Sequence, residues 1–201
     1  NAKAIENILL PLFNKQSPQD LIVSPQNINT GTNAILQIFR DRVLEILEHE
    51  ERDFHQRHQT GRLRNQNLFE VANTVNLFLS NKYTRVISEN LGHKLEDIAT
   101  LSPKIINPET HFNFKIKGVD VIIYENFRFY FTQLKTKKDT LTGSQKPRSE
   151  MELGIHTNSR FVACLSLGSW TFNTDIPNIE RLEGAQFWDK INIDYNSLID
   201  N

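Results

Sequence analysis

The spacing of apolar residues changes near Pro103: before it they recur every three to four positions, after it every second. Residues 2–13 place Ile5, Ile8, Leu9 and Leu12 on one stripe, which predicts a helix. Pro18 and Pro25 punctuate the connection that follows. Over roughly 30–56, Ile35, Ile38, Phe39, Val43, Ile46 and Leu47 share a face, and the end of the stretch is densely charged (Glu45, Glu48, Glu50, Glu51, Arg52, Asp53). Gly61 breaks the period. Leu63, Phe69, Ala72, Val75, Leu77 and Leu79 resume it over 62–80, and 83–100 predicts a further helix interrupted at Gly92.

Beyond Pro103 the alternation predicts strands. Phe112, Phe114 and Ile116 alternate with polar neighbours over His111–Lys117. Val119–Tyr124 is an apolar, β-branched run, Glu125-Asn126 is a two-residue turn candidate, and Phe127–Lys135 is a long β-rich run. A polar connection runs from Thr136 to Pro147, with a short helix expected over 148–156. Phe161–Leu167 reads as a buried strand that Gly168–Phe172 continues or closes, Pro177–Gly184 as a loop, and Ala185–Ile191 as a weak helix.

With 201 residues, the chain is long enough for a full core, and no run of eighteen apolar residues predicts a membrane-spanning helix. No basic-then-apolar leader is visible, and Asn1 suggests a trimmed start. The single Cys164 excludes an intrachain disulfide and a cysteine-rich zinc site, so a reducing, cytoplasmic setting is expected. The formal charge is −1, which argues against a general polyanion binder. Its distribution changes that picture. Residues 104–148 carry nine basic and four acidic side chains, a balance of +5 that leaves −6 for the rest. A basic middle on an acidic frame suits a phosphate-facing site; a solvated surface loop is the plain alternative.

Three polar residues occupy strand positions where apolar ones are expected. Gln133 and Lys135 are two apart and share a face. A tight turn at 125–126 makes the flanking strands antiparallel and sets Asp120 roughly opposite Gln133. An acid, an amide carbonyl and an ammonium would then converge at one sheet edge. Metal-assisted phosphodiester hydrolysis needs that set. Mg²⁺ takes oxygen ligands, here Asp120 and the Gln133 carbonyl, and Lys135 would orient or deprotonate the attacking water or stabilise the pentavalent state. The structural alternative has Asp120 capping a turn and Lys135 closing a strand.

Gly118-Val119-Asp120, twelve intervening residues and Gln133-Leu134-Lys135 resemble the PD-(D/E)XK nuclease signature, and within that superfamily the type II restriction endonucleases. The resemblance covers about 62–172. It implies an α/β fold with a restriction-endonuclease-like core, a central mixed sheet flanked by helices in α-β-β-β-α-β order. It also implies one nuclease domain over 1–201, comprising a helical N-terminal region (1–61), the core (62–172) and a C-terminal extension (173–201). The expected activity is Mg²⁺-dependent, site-specific cleavage of double-stranded DNA, by a homodimer if the target is palindromic. Alternatives are a homing or repair endonuclease of the same superfamily, a DNA-binding module without catalysis, or an ordinary protein-interaction domain. Two departures stand out: Val119 replaces the motif's proline, and Gln133 replaces its middle acid. Some members of the superfamily carry Q-x-K. An uncharged Gln133 shifts the burden to another carboxylate, which the resemblance places on the first core helix. Glu70 is the main candidate, with Glu96 and Glu109 behind it.

In the basic loop, Lys137, Lys138, Lys146 and Arg148 would contact phosphates, while Ser144, Gln145 or Arg148 would read base edges. Asp53, His55 and His58 share no helical face and read as a solvated end. His111 and His156 read as isolated, Cys164 as core, and Trp170 and Trp188 as packing residues. There is no GxxxxGK[ST], GxGxxG or GxSxG, so no nucleotide cofactor and no serine-hydrolase chemistry is expected.

Overall fold

A computed structural model of the chain describes residues 2–13, 23–59 and 75–200. They form helices α1 (Ala2–Phe13), α2 (Pro25–Gln59) and α3 (Val75–Ala99), strand β1 (Ile105–Ile106) and helix α4 (Pro108–Phe112). Strands β2 (Val121–Glu125) and β3 (Arg128–Lys135) follow, then helix α5 (Gln145–Gly154), strands β4 (Ser159–Ala163) and β5 (Ile179–Glu183), and helices α6 (Ala185–Lys190) and α7 (Tyr195–Asp200). Two compact units result, one of Asn1–Asn33 with Leu95–Asn201 and one of Ala34–Lys94. Among the described residues no helix is long and apolar enough to cross a membrane.

The first unit is α/β: a five-stranded mixed sheet in the order β1-β2-β3-β4-β5, flanked by helices. β1, β2 and β3 are antiparallel; β3, β4 and β5 are parallel. α5 makes the crossover that a parallel β3–β4 pair requires. β4 is buried at every position, as a central parallel strand should be. Phe129, Phe131, Gln133 and Lys135 share one face of β3. Toward the turn that face is apolar: Phe13 and Leu9 of α1 pack on Ile122, Tyr124, Phe129 and Phe131. Phe13 lies 4.6 Å from Tyr124, and its burial contributes on the order of 2–3 kcal/mol. A second cluster joins Leu141 and Leu153 to Phe161, Phe172 and Ile179, with Phe161 and Phe172 stacked at 4.0 Å.

An ionic cluster lies by the hairpin turn. Arg160, almost wholly buried, pairs with Glu125 and with Glu180 (2.7 Å) and lies over the Tyr130 ring. Lys190 adds a 3.1 Å contact to Glu125. Against the cost of burial, hydrogen bonds from Arg160 and Lys190 hold the Glu125 carboxyl below the usual carboxylate range.

In the second unit, Phe54 of α2 and Phe78 of α3 meet at 5.8 Å and Lys82 pairs with Glu50 at 3.1 Å.

The structure departs from the sequence expectations at several places, and four carry a physical lesson. The turn is Asn126-Phe127, one residue later than expected, with both residues at positive φ as a type I′ turn demands. His111–Lys117 is not a strand. Asn107 accepts hydrogen bonds from the Glu109 and Thr110 amides, Pro108 opens a helical turn and left-handed Asn113 closes it, so local capping overrides a three-residue alternation. Gly92 does not interrupt α3, since one helical glycine costs only about 1 kcal/mol. Pro177–Gly184 contains the edge strand β5 rather than a loop alone.

Candidate active site

The β2–β3 hairpin positions the polar residues. Val121 pairs with Thr132, so Asp120, one step before the strand, faces Gln133. The Asp120 amide donates to the Thr132 carbonyl at 2.9 Å, and its carboxylate Oδ2 accepts from the Leu134 amide at 2.7 Å. Backbone on both sides therefore fixes the acid beside Gln133. Gln133 and Lys135 follow on the same face, and all three line a cleft of about 370 Å³ whose wall includes Gln145, Arg148 and Glu152 of α5.

Two features mark the cleft as more than a strand end. The Gln133 side chain is buried, and its Oε1 finds no hydrogen-bond partner among the described residues. Leaving a buried amide oxygen unpaired costs on the order of 1–3 kcal/mol. The second is the influence of Asp120 on Glu96, which stands in the last turn of α3 and is not among the residues that line the cleft. The Glu96 carboxyl is pushed up to about 7, first by burial and then by the negative charge of Asp120, with Lys135 pulling the other way. The Asp120 carboxylate and the orphaned Gln133 carbonyl oxygen in the cleft are hard-oxygen donors, and the Asp120 charge is felt at Glu96. The residues present therefore fit Mg²⁺, which takes few protein ligands and keeps waters. Among the described residues no group of three or more His, Cys, Asp or Glu side chains is arranged to hold a metal.

No model of a known protein family matches the chain, and neither does any curated protein.

Of the residues singled out in the sequence, the cleft gathers Asp120, Gln133, Lys135, Gln145 and Arg148. Glu70 lies outside the described residues. Glu96 is the helical acid coupled to Asp120 and Lys135. Lys137, Lys138, Ser144 and Lys146 are not among the lining residues. Lys137 pairs with Asp139 at 3.1 Å, Lys138 with Glu183 at 2.7 Å and Lys146 with Glu150 at 3.8 Å, so part of the local positive charge is cancelled. Ser144 stands at the N-cap of α5 without a side-chain capping bond, and Gln145 Oε1 accepts from the Thr142 amide at 3.1 Å.

Sequence reasoning did not reach Glu152, and it gave Gly118 and Lys117 no role of their own. Glu152 is a buried cleft acid bonded to Arg148 at 2.8 Å, and the one available signal was its position four residues after that arginine. The remaining candidates are structural. His55 is exposed and lies 3.8 Å from Glu51, while His111 contacts the Asn107 carbonyl that starts α4. His156 stacks on Phe131 at 4.2 Å. Burial pushes the Cys164 thiol well up, out of nucleophile range. The Trp188 indole donates to the Cys164 carbonyl at 2.7 Å, and Trp170 lies beneath the Arg181 guanidinium.

Proposed function

We propose that the chain is a Mg²⁺-dependent endonuclease of the PD-(D/E)XK type, a restriction-like enzyme that cleaves double-stranded DNA. The observation that carries the reading is the convergence of Asp120, the orphaned Gln133 Oε1 and Lys135 on one cleft, with Glu96 electrostatically coupled to it. The element order α3, β1, α4, β2, β3, α5, β4 supports it too, because apart from the five-residue α4 it follows the α-β-β-β-α-β arrangement of that superfamily. Asp120, Gln133 and Glu96 would hold the ion, which when bound supplies Lewis-acid stabilisation of charge on the phosphate and a lowered water pKa.

The chain's own groups do the rest. The Leu134 amide fixes the Asp120 carboxylate in one orientation. Lys135 holds the attacking water by hydrogen bonding and offers positive charge to the developing pentavalent phosphate. Gln145 and Arg148 on α5 would meet the nucleic acid where it enters the cleft. A palindromic target would require a two-fold dimer.

The neutral Gln133 favours one rival, a DNA-binding module without catalysis. Incubation of supercoiled plasmid with the protein in EDTA and in millimolar Mg²⁺ separates the two. The proposal predicts nicked and linear DNA in Mg²⁺ alone, lost in Asp120→Ala. DNA retention without cleavage on varied unmethylated substrates, by folded protein, supports the rival. A long asymmetric or damaged target, rather than a short palindrome, would point to the homing or repair alternative.

A further inference from the structure

One buried carboxylate in the cleft takes no part in the hydrolytic set. Glu152, 7 % exposed, receives the Arg148 Nε–H at 2.8 Å and has Lys117 Nζ at 3.5 Å. Its two partners are 66 % and 72 % exposed. A single buried anion thus holds two solvent-facing cations, and the three groups carry a surplus of one positive charge; Arg148 and Glu152 line the cleft. The Arg148 bond uses Nε and leaves the two terminal amino groups, the part of a guanidinium that grips a phosphate bidentately.

Gly118 explains how Glu152 comes to lie there. At φ +74°, a Cβ on Gly118 would stand 2.5 Å from Glu152 Cβ and 2.7 Å from its Oε2. The bare backbone two residues before Asp120 lets the acid lie against the entry to β2, and Lys117 is the next residue back along the chain.

We propose that Glu152 is a positioning residue that presents Arg148 and Lys117 as a clamp for a backbone phosphate of duplex DNA. The proposal rests on the cleft being a DNA site but not on hydrolysis, so binding without metal tests it.

The experiment is equilibrium binding of a short labelled DNA duplex in EDTA across a range of salt concentrations. Lys117→Ala and Arg148→Ala should each weaken binding and reduce the slope of log affinity against log salt by about one. Glu152→Gln removes a negative charge yet should weaken binding by about tenfold, because Arg148 loses the charged acceptor that orients its fork. Arg148→Lys, which keeps the charge, should bind as poorly as Arg148→Ala. Thermal unfolding reports which variants are folded, and Arg148→Lys decides the matter if Glu152→Gln does not fold. Equal or tighter binding by Glu152→Gln, unchanged binding by Arg148→Lys, or no DNA binding by the wild type would each overturn the proposal. The clamp pattern without Mg²⁺-dependent cleavage would keep the proposal and remove the hydrolytic reading. Cleavage by wild type with unchanged binding in all variants would do the reverse.

Discussion

Replacing Glu96 by Gln should stabilise the metal-free protein while damaging its activity. In the folded chain the Glu96 carboxyl is raised from 4.5 to about 7 by burial and by Asp120. Each tenfold change in proton affinity is worth about 1.4 kcal/mol, so holding Glu96 ionised costs at most about 3.5 kcal/mol. The side chain remains partly exposed, and solvent screening reduces that to about 1–2 kcal/mol. Between pH 4.5 and 7 the folded state keeps a proton that the unfolded chain has lost. Stability of the metal-free wild type therefore falls as pH rises through that window and levels off above it. Glu96→Gln has no such fall. Thermal unfolding in EDTA at pH 8 should show the variant melting about 3–6 °C above wild type, with the two equal near pH 4.5. Mg²⁺ should raise the wild-type transition and move the variant less, and DNA cleavage should drop in the variant. A variant no more stable than wild type at pH 8 would refute the raised proton affinity of Glu96.

Three further expectations concern the fold around the cleft. His156 is buried with both ring nitrogens lacking hydrogen-bond partners among the described residues, and burial holds its pKa below the ordinary value. As pH falls below about 6.5 the unfolded chain gains a proton that the folded chain resists, so His156→Phe should add about 1 kcal/mol at pH 7 and more at pH 5, measured by urea unfolding. Phe127, 80 % exposed with φ 62°, occupies a turn position suited to glycine, and Phe127→Gly should raise stability by about 0.5–1 kcal/mol in the same assay. Glu125→Ala leaves Arg160 buried with Glu180 as its remaining acidic partner and should cost about 3 kcal/mol; a loss under 1 kcal/mol would show that water replaces the missing carboxylate.

The hairpin and its polar residues were legible because two independent signals agree there. β-branched and aromatic residues fill β2 and β3, and the same-face spacing of Gln133 and Lys135 is a property of any strand. A turn at 125–126 would set Asp120 opposite Phe131, two residues from Gln133 on the same face; the observed turn, one residue later, brings Asp120 opposite Gln133 itself. β5 was hidden because its buried residues, Ile179 and Leu182, are three apart with Glu180 and Arg181 exposed between them; parallel pairing with β4 makes it a strand, and no local pattern encodes that pairing. α4 was misread because the Asn107-Pro108 cap outweighs alternation. The resemblance placed the extra acid on the first core helix and put Glu70 ahead of Glu96; Glu70 lies outside the described residues, whereas Glu96 stands in the last turn of α3. Glu152 was invisible for a related reason: its burial is created by the missing side chain at Gly118, more than thirty residues earlier.

The most direct test of the account compares wild type with Lys135→Ala on unmethylated phage DNA in millimolar Mg²⁺, both proteins verified as folded and DNA-binding. The account predicts discrete fragments from wild type, none in EDTA, and uncut DNA from the variant. Equal cutting by both proteins would contradict the role given to Lys135, and the absence of cutting by either would contradict the nuclease itself.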